Sequence, residues 1–279
     1  MVLTQGGRSD ELTALADSFE LPAGGDAVLV ANGATGTVAP PPGWRSVATS
    51  ENLGVPGGRN FGAAQTAGDF VIFLDDDARA LRADLVAAVE HRFRTETDLG
   101  AIGFRIVKPG SLESQQRWSP HIGMGDTDRT ADVTTFVGGG HAVRRAAFDE
   151  VGGYFAPLFY GLEETDLAWR LIDAGWRVSF DAELILEHPD IDQSRHPNVV
   201  RRTARNRVWL ARRRLPAVLV VVYLGVWMVI QLARSRTWGQ LREVCGGSVE
   251  GMRTCAGARN PMRWSTVLHM ARLRRPPII

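Results

Sequence analysis

The chain has 279 residues, of which 44% are hydrophobic and 23% charged, and it contains only two cysteines. This composition is that of a globular protein and excludes a disordered chain, a collagen and a small disulfide-stabilised domain. The net charge of +1 conceals two opposed parts. Residues 1–194 have a balance of −14, whereas residues 195–279, with 17 arginines and two acids, have a balance of +15. We therefore expect two regions with different roles.

In the first region, short apolar runs alternate with stretches in which apolar residues recur every three or four positions. This alternation indicates an α/β domain. The predicted strands lie at residues 2–4, 27–31, 70–74 and 176–180, and the predicted helices at residues 9–19, 57–67, 81–93 and 163–175. Loops are predicted at residues 37–44 and 109–132, and a tight turn at the three glycines 138–140.

Three aspartates, Asp75, Asp76 and Asp77, directly follow the predicted strand at residues 70–74. Adjacent carboxylates repel one another, so the arrangement is costly unless a positive group lies beside it. Mg²⁺ and Mn²⁺ prefer carboxylate oxygens, and α/β sheets bind ligands at the carboxyl ends of their strands. The motif therefore predicts a divalent-metal site. The alternative is an acidic turn in which Asp77 caps the next helix.

A second acidic group, Glu163, Glu164 and Asp166, opens the predicted helix at residues 163–175. The helix dipole stabilises acids in a first turn, and Asp166 is spaced to pair with Arg170, so a structural role is one interpretation. The other is that one carboxylate faces a pocket as a general base, which would need partial burial to keep a useful pKa. The sequence does not choose between Glu163 and Glu164 for that role.

His188 lies beside a proline, and by itself it is best explained as a structural histidine. Next to an acidic metal site, however, it becomes a nitrogen ligand for the ion. The chain contains no P-loop motif, no zinc-binding pattern and no serine-hydrolase elbow, which argues against P-loop ATPases and serine hydrolases.

Three stretches in order along the chain resemble family 2 glycosyltransferases of the GT-A fold, in particular the bacterial rhamnosyltransferase-like members. They are NLGVPGGRNFG with GDFVIFLDDDA, then GGYFAPLFYGLEETDLAWRLIDAGWRV, then EHP. The resemblance covers roughly residues 1–210. It implies a Rossmann-like sheet with helices on both faces, forming a catalytic domain over residues 1–194. An Arg-rich helical extension over residues 195–279 follows it.

The resemblance also assigns roles to individual residues. The family's metal ligands fall on Asp75, Asp77 and His188, which would hold Mn²⁺ or Mg²⁺. Glu164 takes the place of the family's catalytic base, usually an aspartate. The predicted catalytic group is Glu164, Glu163 and Asp166, and the predicted nucleotide-sugar site is Thr4, Gln5, Arg8, Asn32, Arg59, Asn60, Asp75 and Asp76. Asn32 stands where the family has an acidic residue that contacts uridine, which leaves the base of the nucleotide open.

The implied function is inverting transfer of a sugar, hexosyl or deoxyhexosyl, from a nucleoside-diphosphate sugar to an acceptor hydroxyl. The acceptor would be a glycan, a lipid-linked sugar or a small molecule. The alternatives are a metal-dependent nucleotidyltransferase of similar fold and a non-catalytic, membrane-attached scaffold. A short Gly-Gly-Arg segment at residues 6–8 does not match the longer triphosphate loop of nucleotidyltransferases, and the intact acidic motifs argue against a scaffold.

The Arg-rich extension contains an apolar run from Pro216 to Ala233, at the lower limit for a membrane span. It would form a buried helix, a helix lying in the lipid headgroup region, or a true span. Arginines beside an apolar helix favour an anionic membrane surface as partner, and nothing indicates nucleic-acid binding. The chain starts without a signal-peptide pattern and has few cysteines, so we expect a cytoplasmic protein, peripheral at the inner face of the plasma membrane.

Overall fold

The computed structural model describes residues 1–34, 36, 38–115, 127–190, 198–254 and 257–278. Within these ranges the chain forms a mixed sheet with helices packed on it. The strands are β1 (Val2–Thr4), β2 (Val28–Asn32), β3 (Arg45–Thr49), β4 (Phe70–Asp75), β5 (Arg79–Ala80), β6 (Leu99–Val107), β7 (Ala131–Asp132), β8 (Gly140–Arg144) and β9 (Arg177–Glu187). The α-helices are α1 (Ser9–Ala16), α2 (Gly54–Ala64), α3 (Leu85–Thr95), α4 (Arg145–Glu150), α5 (Glu163–Ala174), α6 (Val199–Arg214), α7 (Ala217–Arg234), α8 (Trp238–Arg253) and α9 (Trp264–Arg272).

The strand order is β3-β2-β1-β4-β8-β6-β9-β5, with β7 paired to β9. Strands β1 to β4 are mutually parallel where they pair, and β8 is antiparallel to both of its neighbours, β4 and β6. Because β9 is parallel to β6, the strands β1, β4, β6 and β9 all point the same way. Their carboxyl ends therefore share one edge of the sheet, where ligands bind in folds of this kind.

Alternate residues along the strands face two separate hydrophobic layers. On one side Phe73 of β4 joins a cluster with Leu167 of α5. On the other side its neighbour Leu74 joins a cluster with Leu85 of α3. The predicted α/β sheet with helices on both faces is confirmed.

The strands β3, β5, β6, β7 and β8 were not predicted; β7 lies in the predicted loop at 109–132, and β8 begins at the last glycine of the predicted turn. Strand β6 runs through the middle of the sheet, but its sequence contains Gly100 and Gly103 and so lacks a strand-like run of branched side chains. A Cβ atom at Gly100 would lie 2.7 Å from the Cβ of Trp176, and one at Gly103 would lie 2.8 Å from the Cβ of Phe136. The glycines therefore make room for aromatic side chains of other elements.

Some predicted boundaries change, and some predictions fall outside the described residues. The predicted strand at 176–180 is the first part of a longer strand, β9, which continues to Glu187. Residues 116–126 of the predicted loop at 109–132, and Thr37 of the one at 37–44, lie outside the described ranges.

The Arg-rich extension packs against the rest of the chain. Leu210 of α6, Tyr223 of α7 and Met270 of α9 join the same core cluster as Leu167 of α5. Helix α8 lies close along α6, and a Cβ at Gly251 of α8 would come within 2.8 Å of the backbone oxygen of residue 205. The described part of the extension therefore shares a core with the catalytic region.

Candidate active site

The three aspartates lie where strand β4 ends, at the carboxyl edge of the sheet. Asp75 is the last residue of β4, and Asp76 and Asp77 form the turn that follows. The chain then crosses to the far side of the sheet, where Arg79 of β5 pairs with Glu187 at the end of β9. This pairing brings Asp77 beside His188, although β4 and β9 are separated in the sheet by two other strands.

Asp75, Asp77 and His188 present one ligand atom each within 4.8 Å of one another. The His188 Nε2 atom lies 3.1 Å from Asp77 Oδ1 and 3.4 Å from Asp75 Oδ2. The other ring nitrogen, Nδ1, lies 2.8 Å from the carbonyl oxygen of Pro189. A hydrogen bond there fixes the proton on Nδ1 and leaves Nε2 for a cation, as is usual for metal-ligating histidines. Two carboxylates and one imidazole nitrogen fit a divalent metal ion such as Mn²⁺ or Mg²⁺.

The electrostatics of this cluster favour the charged forms of Asp75 and His188. Burial disfavours the charged form of Asp75, but the hydrogen bond from His188 and the charge of Arg59 outweigh it and lower the pKa of Asp75 to about 2. Burial likewise disfavours a charged imidazole, but hydrogen bonds to Asp75 and Asp77 raise the pKa of His188 to about 10. The cluster thus already attracts positive charge.

The end of β1 and the loop after it contact Asp76 and Asp77. The Thr4 hydroxyl donates to Asp76 Oδ2 at 2.6 Å, and the Arg8 guanidinium lies 2.5 Å from Asp76 Oδ1 and 2.7 Å from Asp77 Oδ2. Burial raises the pKa of Asp76, against the hydrogen bond from Thr4. Gln5 is exposed in the same loop. The structure therefore brings the predicted residues of this loop to the aspartates, and their donor-binding role stays a prediction.

Arg59 connects the metal cluster to the acidic start of α5. Its side chain is 5% exposed, and it donates to Glu164 Oε1 at 2.7 Å, to the Gly138 carbonyl at 2.8 Å and to Asp75 Oδ1 at 3.4 Å. Arg59 therefore links the carboxylate of Glu164 to that of Asp75, a candidate metal ligand. Gly138 is also packed against Glu164, because a Cβ there would lie 2.3 Å from Glu164 Oε1.

Glu163 differs from its neighbour in burial. It is 3% exposed, and its Oε2 atom has no hydrogen-bond partner among the described residues. Burial and the nearby charge of Glu164 together raise its pKa. The Glu164 side chain is 15% exposed and so is the more accessible of the two carboxylates.

A strained loop positions both glutamates. Phe159 and Leu162 have φ values of 63° and 71°, in the left-handed region that such side chains rarely adopt. The buried amide of Asn206, from α6, donates to the carbonyls of residues 158, 160 and 161 at 2.9, 3.0 and 2.9 Å. The extension therefore holds the loop that leads into α5, where Glu163 and Glu164 lie. No pattern in the sequence indicates this contact.

Asp166, predicted to belong to the catalytic group, lies inside the protein instead. It is 0% exposed. Its Oδ2 accepts from Arg170 at 2.8 Å, and its Oδ1 accepts from Arg213 and Arg214 at 3.1 Å each. The three guanidiniums outweigh the effect of burial and lower its pKa. The predicted pair with Arg170 is present, and the geometry assigns Asp166 a structural role, joining α5 to α6.

Two residues predicted to contact the nucleotide sugar, Asn32 and Asn60, make hydrogen bonds to the protein itself. Asn32 is 1% exposed, donates to the Gly54 carbonyl at 3.1 Å and accepts from the Leu53 amide at 3.0 Å. Asn60 bonds both ways with the backbone of Tyr154, each at 2.8 Å. Both asparagines therefore position loops beside the site, and direct contact with a nucleotide stays a prediction for them.

Two buried aromatic residues under Arg59 were missed by the sequence analysis. The Tyr154 ring lies 5.6 Å from the Arg59 guanidinium, and its hydroxyl is 2.5 Å from His141 Nε2. Burial lowers the pKa of His141, so this histidine is neutral, and burial raises the pKa of Tyr154. Neither residue lies in a pattern that signals this contact, since they are brought together by the packing of β8 against the segment before α5.

A cavity of about 360 Å³ lies elsewhere, beside Met1, Phe19 and Trp44. Its lining includes the amino ends of β1 and β4, opposite to the carboxyl edge that holds the aspartates. The carboxylates and the histidine, rather than this cavity, mark the candidate active site.

Comparison with known sequences agrees with this geometry. Residues 34–152 match the family model of glycosyl transferase family 2. The chain is 29% identical over 143 residues to the pre-mycofactocin glycosyltransferase of Mycobacterium tuberculosis, a match that covers 49% of this chain and 30% of that protein. It is 33% identical over 107 residues to an uncharacterized protein of Haemophilus influenzae, covering 37% of this chain and 57% of that one. The chain therefore matches only part of the length of these relatives.

Solved structures show the same fold. TarS residues 1–349 of S. aureus superpose with a TM-score of 0.60 at 15% identity, covering 90% of this chain and 79% of that one. The mannosyltransferase PcManGT of Pyrobaculum calidifontis, in complex with GDP-Man and Mn²⁺, gives a TM-score of 0.57 at 16% identity, covering 98% and 78%. At such identities the likeness establishes the fold.

The fold is that of the GT-A glycosyltransferases, as the resemblance in the sequence predicted. Arg59 and the three aspartates lie within residues 34–152, the range that matches the family model. The rhamnosyltransferase-like character stays a prediction.

Proposed function

We propose that this protein is an inverting, metal-dependent glycosyltransferase that moves a sugar from a nucleoside-diphosphate sugar to an acceptor hydroxyl. The observation that carries the proposal is the cluster of Asp75, Asp77 and His188 at the carboxyl edge of the sheet, joined to Glu164 through Arg59. Such a site combines a place for a diphosphate-bound cation with a carboxylate beside it. The structures of TarS in complex with UDP-GlcNAc and of PcManGT in complex with GDP-Man support a nucleotide-sugar donor.

Asp75, Asp77 and His188 would hold the cation, Mn²⁺ or Mg²⁺. A cation held by these residues would supply positive charge that neutralises the departing diphosphate. The two ions share carboxylate chemistry, and the Mn²⁺ in the PcManGT complex makes Mn²⁺ the first one to test. Arg8 pairs with Asp77, one of these ligands, and with Asp76, and its guanidinium would contact the diphosphate as well.

Glu164 is the proposed general base. Its carboxylate is more exposed than that of Glu163, and Arg59 fixes its orientation toward the metal cluster. Glu164 takes the proton from the acceptor hydroxyl while the acceptor oxygen forms its bond to the anomeric carbon. The bond from that carbon to the diphosphate breaks, and the diphosphate leaves with the electron pair. Direct attack from the face opposite the diphosphate inverts the configuration.

Glu163 is proposed to support this base rather than replace it. It lies deeper, and because its pKa is raised it tends to stay neutral beside the charged Glu164. A neutral Glu163 avoids placing two adjacent negative charges under one arginine. Arg59 would then remain available to orient Glu164.

A thermal-shift panel with UDP-, TDP- and GDP-sugars, each with and without Mn²⁺, tests donor and metal together. We expect stabilisation by one nucleotide class only when Mn²⁺ is present, and loss of that stabilisation in Asp77→Asn. Asp84→Asn is the matched control, because Asp84 is an exposed aspartate that pairs with Arg82. Donor stabilisation that is equal with and without metal, in wild type and Asp77→Asn alike, would refute the metal assignment.

Turnover of the identified donor tests the reaction and the base. We expect release of the nucleoside diphosphate, whereas a nucleotidyltransferase acting on the same donor would transfer the nucleoside monophosphate and release the sugar 1-phosphate. Glu164→Gln should abolish transfer and keep donor binding, while Glu163→Gln should keep measurable transfer. The reverse result would assign the base to Glu163. NMR of the product's anomeric centre decides between inversion and retention.

A further inference from the structure

The outer face of helix α7 is entirely apolar. Val218, Val221 and Val229 are 68%, 74% and 67% exposed, and Val222 and Leu232 on the same side are each 41% exposed. These positions recur every three or four residues, so they form one stripe along the helix. Residues 217–233 include no charged side chain. The outer face of a helix on a water-facing domain is normally polar, so this stripe calls for a partner.

The inner face of α7 is fixed to the protein. Tyr223 is 2% exposed and packs edge-on against Trp169 of α5, with ring centroids 6.2 Å apart. The Arg207 guanidinium of α6 lies 3.6 Å from the centre of the Trp227 ring. The helix is long and apolar enough to cross a membrane, but 6% of its residues are buried and its inner side rests on the domain. This excludes a buried core helix, and a helix held against the domain in this way would lie flat on a membrane.

The exposed charges of the extension that contains the stripe have one sign. Within residues 198–254 and 257–278 no acidic side chain is exposed, since Glu243 and Glu250 are both partly buried. The exposed arginines in the same ranges are Arg234, Arg236, Arg242, Arg253, Arg259, Arg263, Arg272 and Arg274. Two of them, Arg234 and Arg236, directly follow the apolar stripe. An apolar surface with a positive border matches the acyl chains and phosphates of an anionic bilayer.

We propose that α7 docks this protein on an anionic lipid bilayer, lying in the plane of the interface with its outer valines among the acyl chains. A second copy of the chain is the less suitable occupant, because two such faces would bring arginine-lined borders against each other. The proposal does not depend on the transfer reaction. Donor binding in the thermal-shift panel and lipid binding can therefore fail separately.

Flotation of the full chain with lipid vesicles tests the proposal. We expect binding to phosphatidylcholine vesicles that contain phosphatidylglycerol, weaker binding to phosphatidylcholine alone, and a loss of binding as salt rises. The triple variant Val218→Ser, Val221→Ser and Val229→Ser should have an affinity for the vesicles at least about tenfold lower than wild type, because its apolar contact area is removed. Its circular dichroism and melting temperature should be unchanged, since these side chains point outward.

Two further variants separate the apolar and electrostatic parts. The matched control, Leu21→Ser with Leu81→Ser and Leu112→Ser, removes three exposed leucines outside the extension and should bind like wild type. Arg234→Gln with Arg236→Gln should weaken binding to the anionic vesicles about fivefold per arginine.

Several results would overturn the proposal. They are no binding to either vesicle type, binding that ignores salt, and equal binding by wild type and the valine variant. A dimer that becomes a monomer in the valine variant, without vesicle binding, would identify a second copy as the occupant. Resistance to extraction with alkaline carbonate would show a span instead.

Discussion

Replacing Asp166 by asparagine removes the single negative charge from a buried cluster of three arginines. Asp166 is 0% exposed, and the side chains of Arg170, Arg213 and Arg214 are 9%, 6% and 10% exposed. Asparagine keeps the shape, but it removes the negative charge that accepts hydrogen bonds from all three guanidiniums. Breaking a buried ion pair by removing one partner costs about 3–5 kcal/mol in free energy of unfolding.

The size of the expected effect on melting follows from the length of the chain. At about 2.1 cal/mol/K per residue, the unfolding entropy is about 0.6 kcal/mol/K, so the expected loss lowers the melting temperature by about 5–9 °C. Thermal and urea unfolding followed by circular dichroism would measure it. Asp84→Asn, at a surface pair whose aspartate side chain is 61% exposed, is the control and should melt like wild type.

The dependence on pH supplies a second check on Asp166. Its pKa is lowered in the folded protein, so its stabilising contribution is complete above the unfolded pKa of about 4 and disappears as the pH falls through the folded pKa. The difference between wild type and Asp166→Asn should therefore narrow below about pH 4. A variant that melts like wild type at pH 7 but no longer transfers sugar would refute the structural assignment and restore the catalytic one.

Three other predictions concern the acidic site. Glu163→Gln should gain stability relative to wild type as the pH rises from 5 to 8 in denaturant titrations, because the raised pKa makes the folded protein favour the protonated side chain; a constant difference would contradict this. Gly138→Ala should lower kcat by about a hundredfold by displacing Glu164, whereas Gly225→Ala, with open space around its Cβ, should leave kcat unchanged. Asn206→Ala should cost about 1–3 kcal/mol in urea unfolding and reduce turnover, because three carbonyls lose their donor; unchanged turnover would show that the loop keeps its shape without the amide.

The sequence was sufficient to predict a cluster of carboxylates and the sheet edge on which it lies. An apolar run that stops at three aspartates gives both the strand and the ligands, because strand ends and carboxylates are local features. His188 was included through the family resemblance. What brings it to Asp77 is the two-residue strand β5, which is too short to leave a periodic pattern.

The roles of the other polar residues depend on contacts distant in sequence. Asp166 is an ordinary first-turn acid until α6 places Arg213 and Arg214 against it, 47 and 48 residues further along. Asn32 and Asn60 likewise depend on backbone groups that only the folded chain supplies. Short-range patterns carry no information about such partners. Only the structure shows that these polar residues are buried and hydrogen-bonded to other parts of the protein.

The contacts of Asp166 and Asn206 bear on whether the two charge regions are separable modules. A chain cut at residue 194, where the composition changes, would lose the amide that holds the loop before Glu163 and two of the three cations around Asp166. A grafted extension from another protein would have to reproduce both contacts to keep the base in place. Exchange of this region between related proteins would therefore be constrained by its contacts with α5 and the preceding loop. The surface on which the extension docks would be a second constraint.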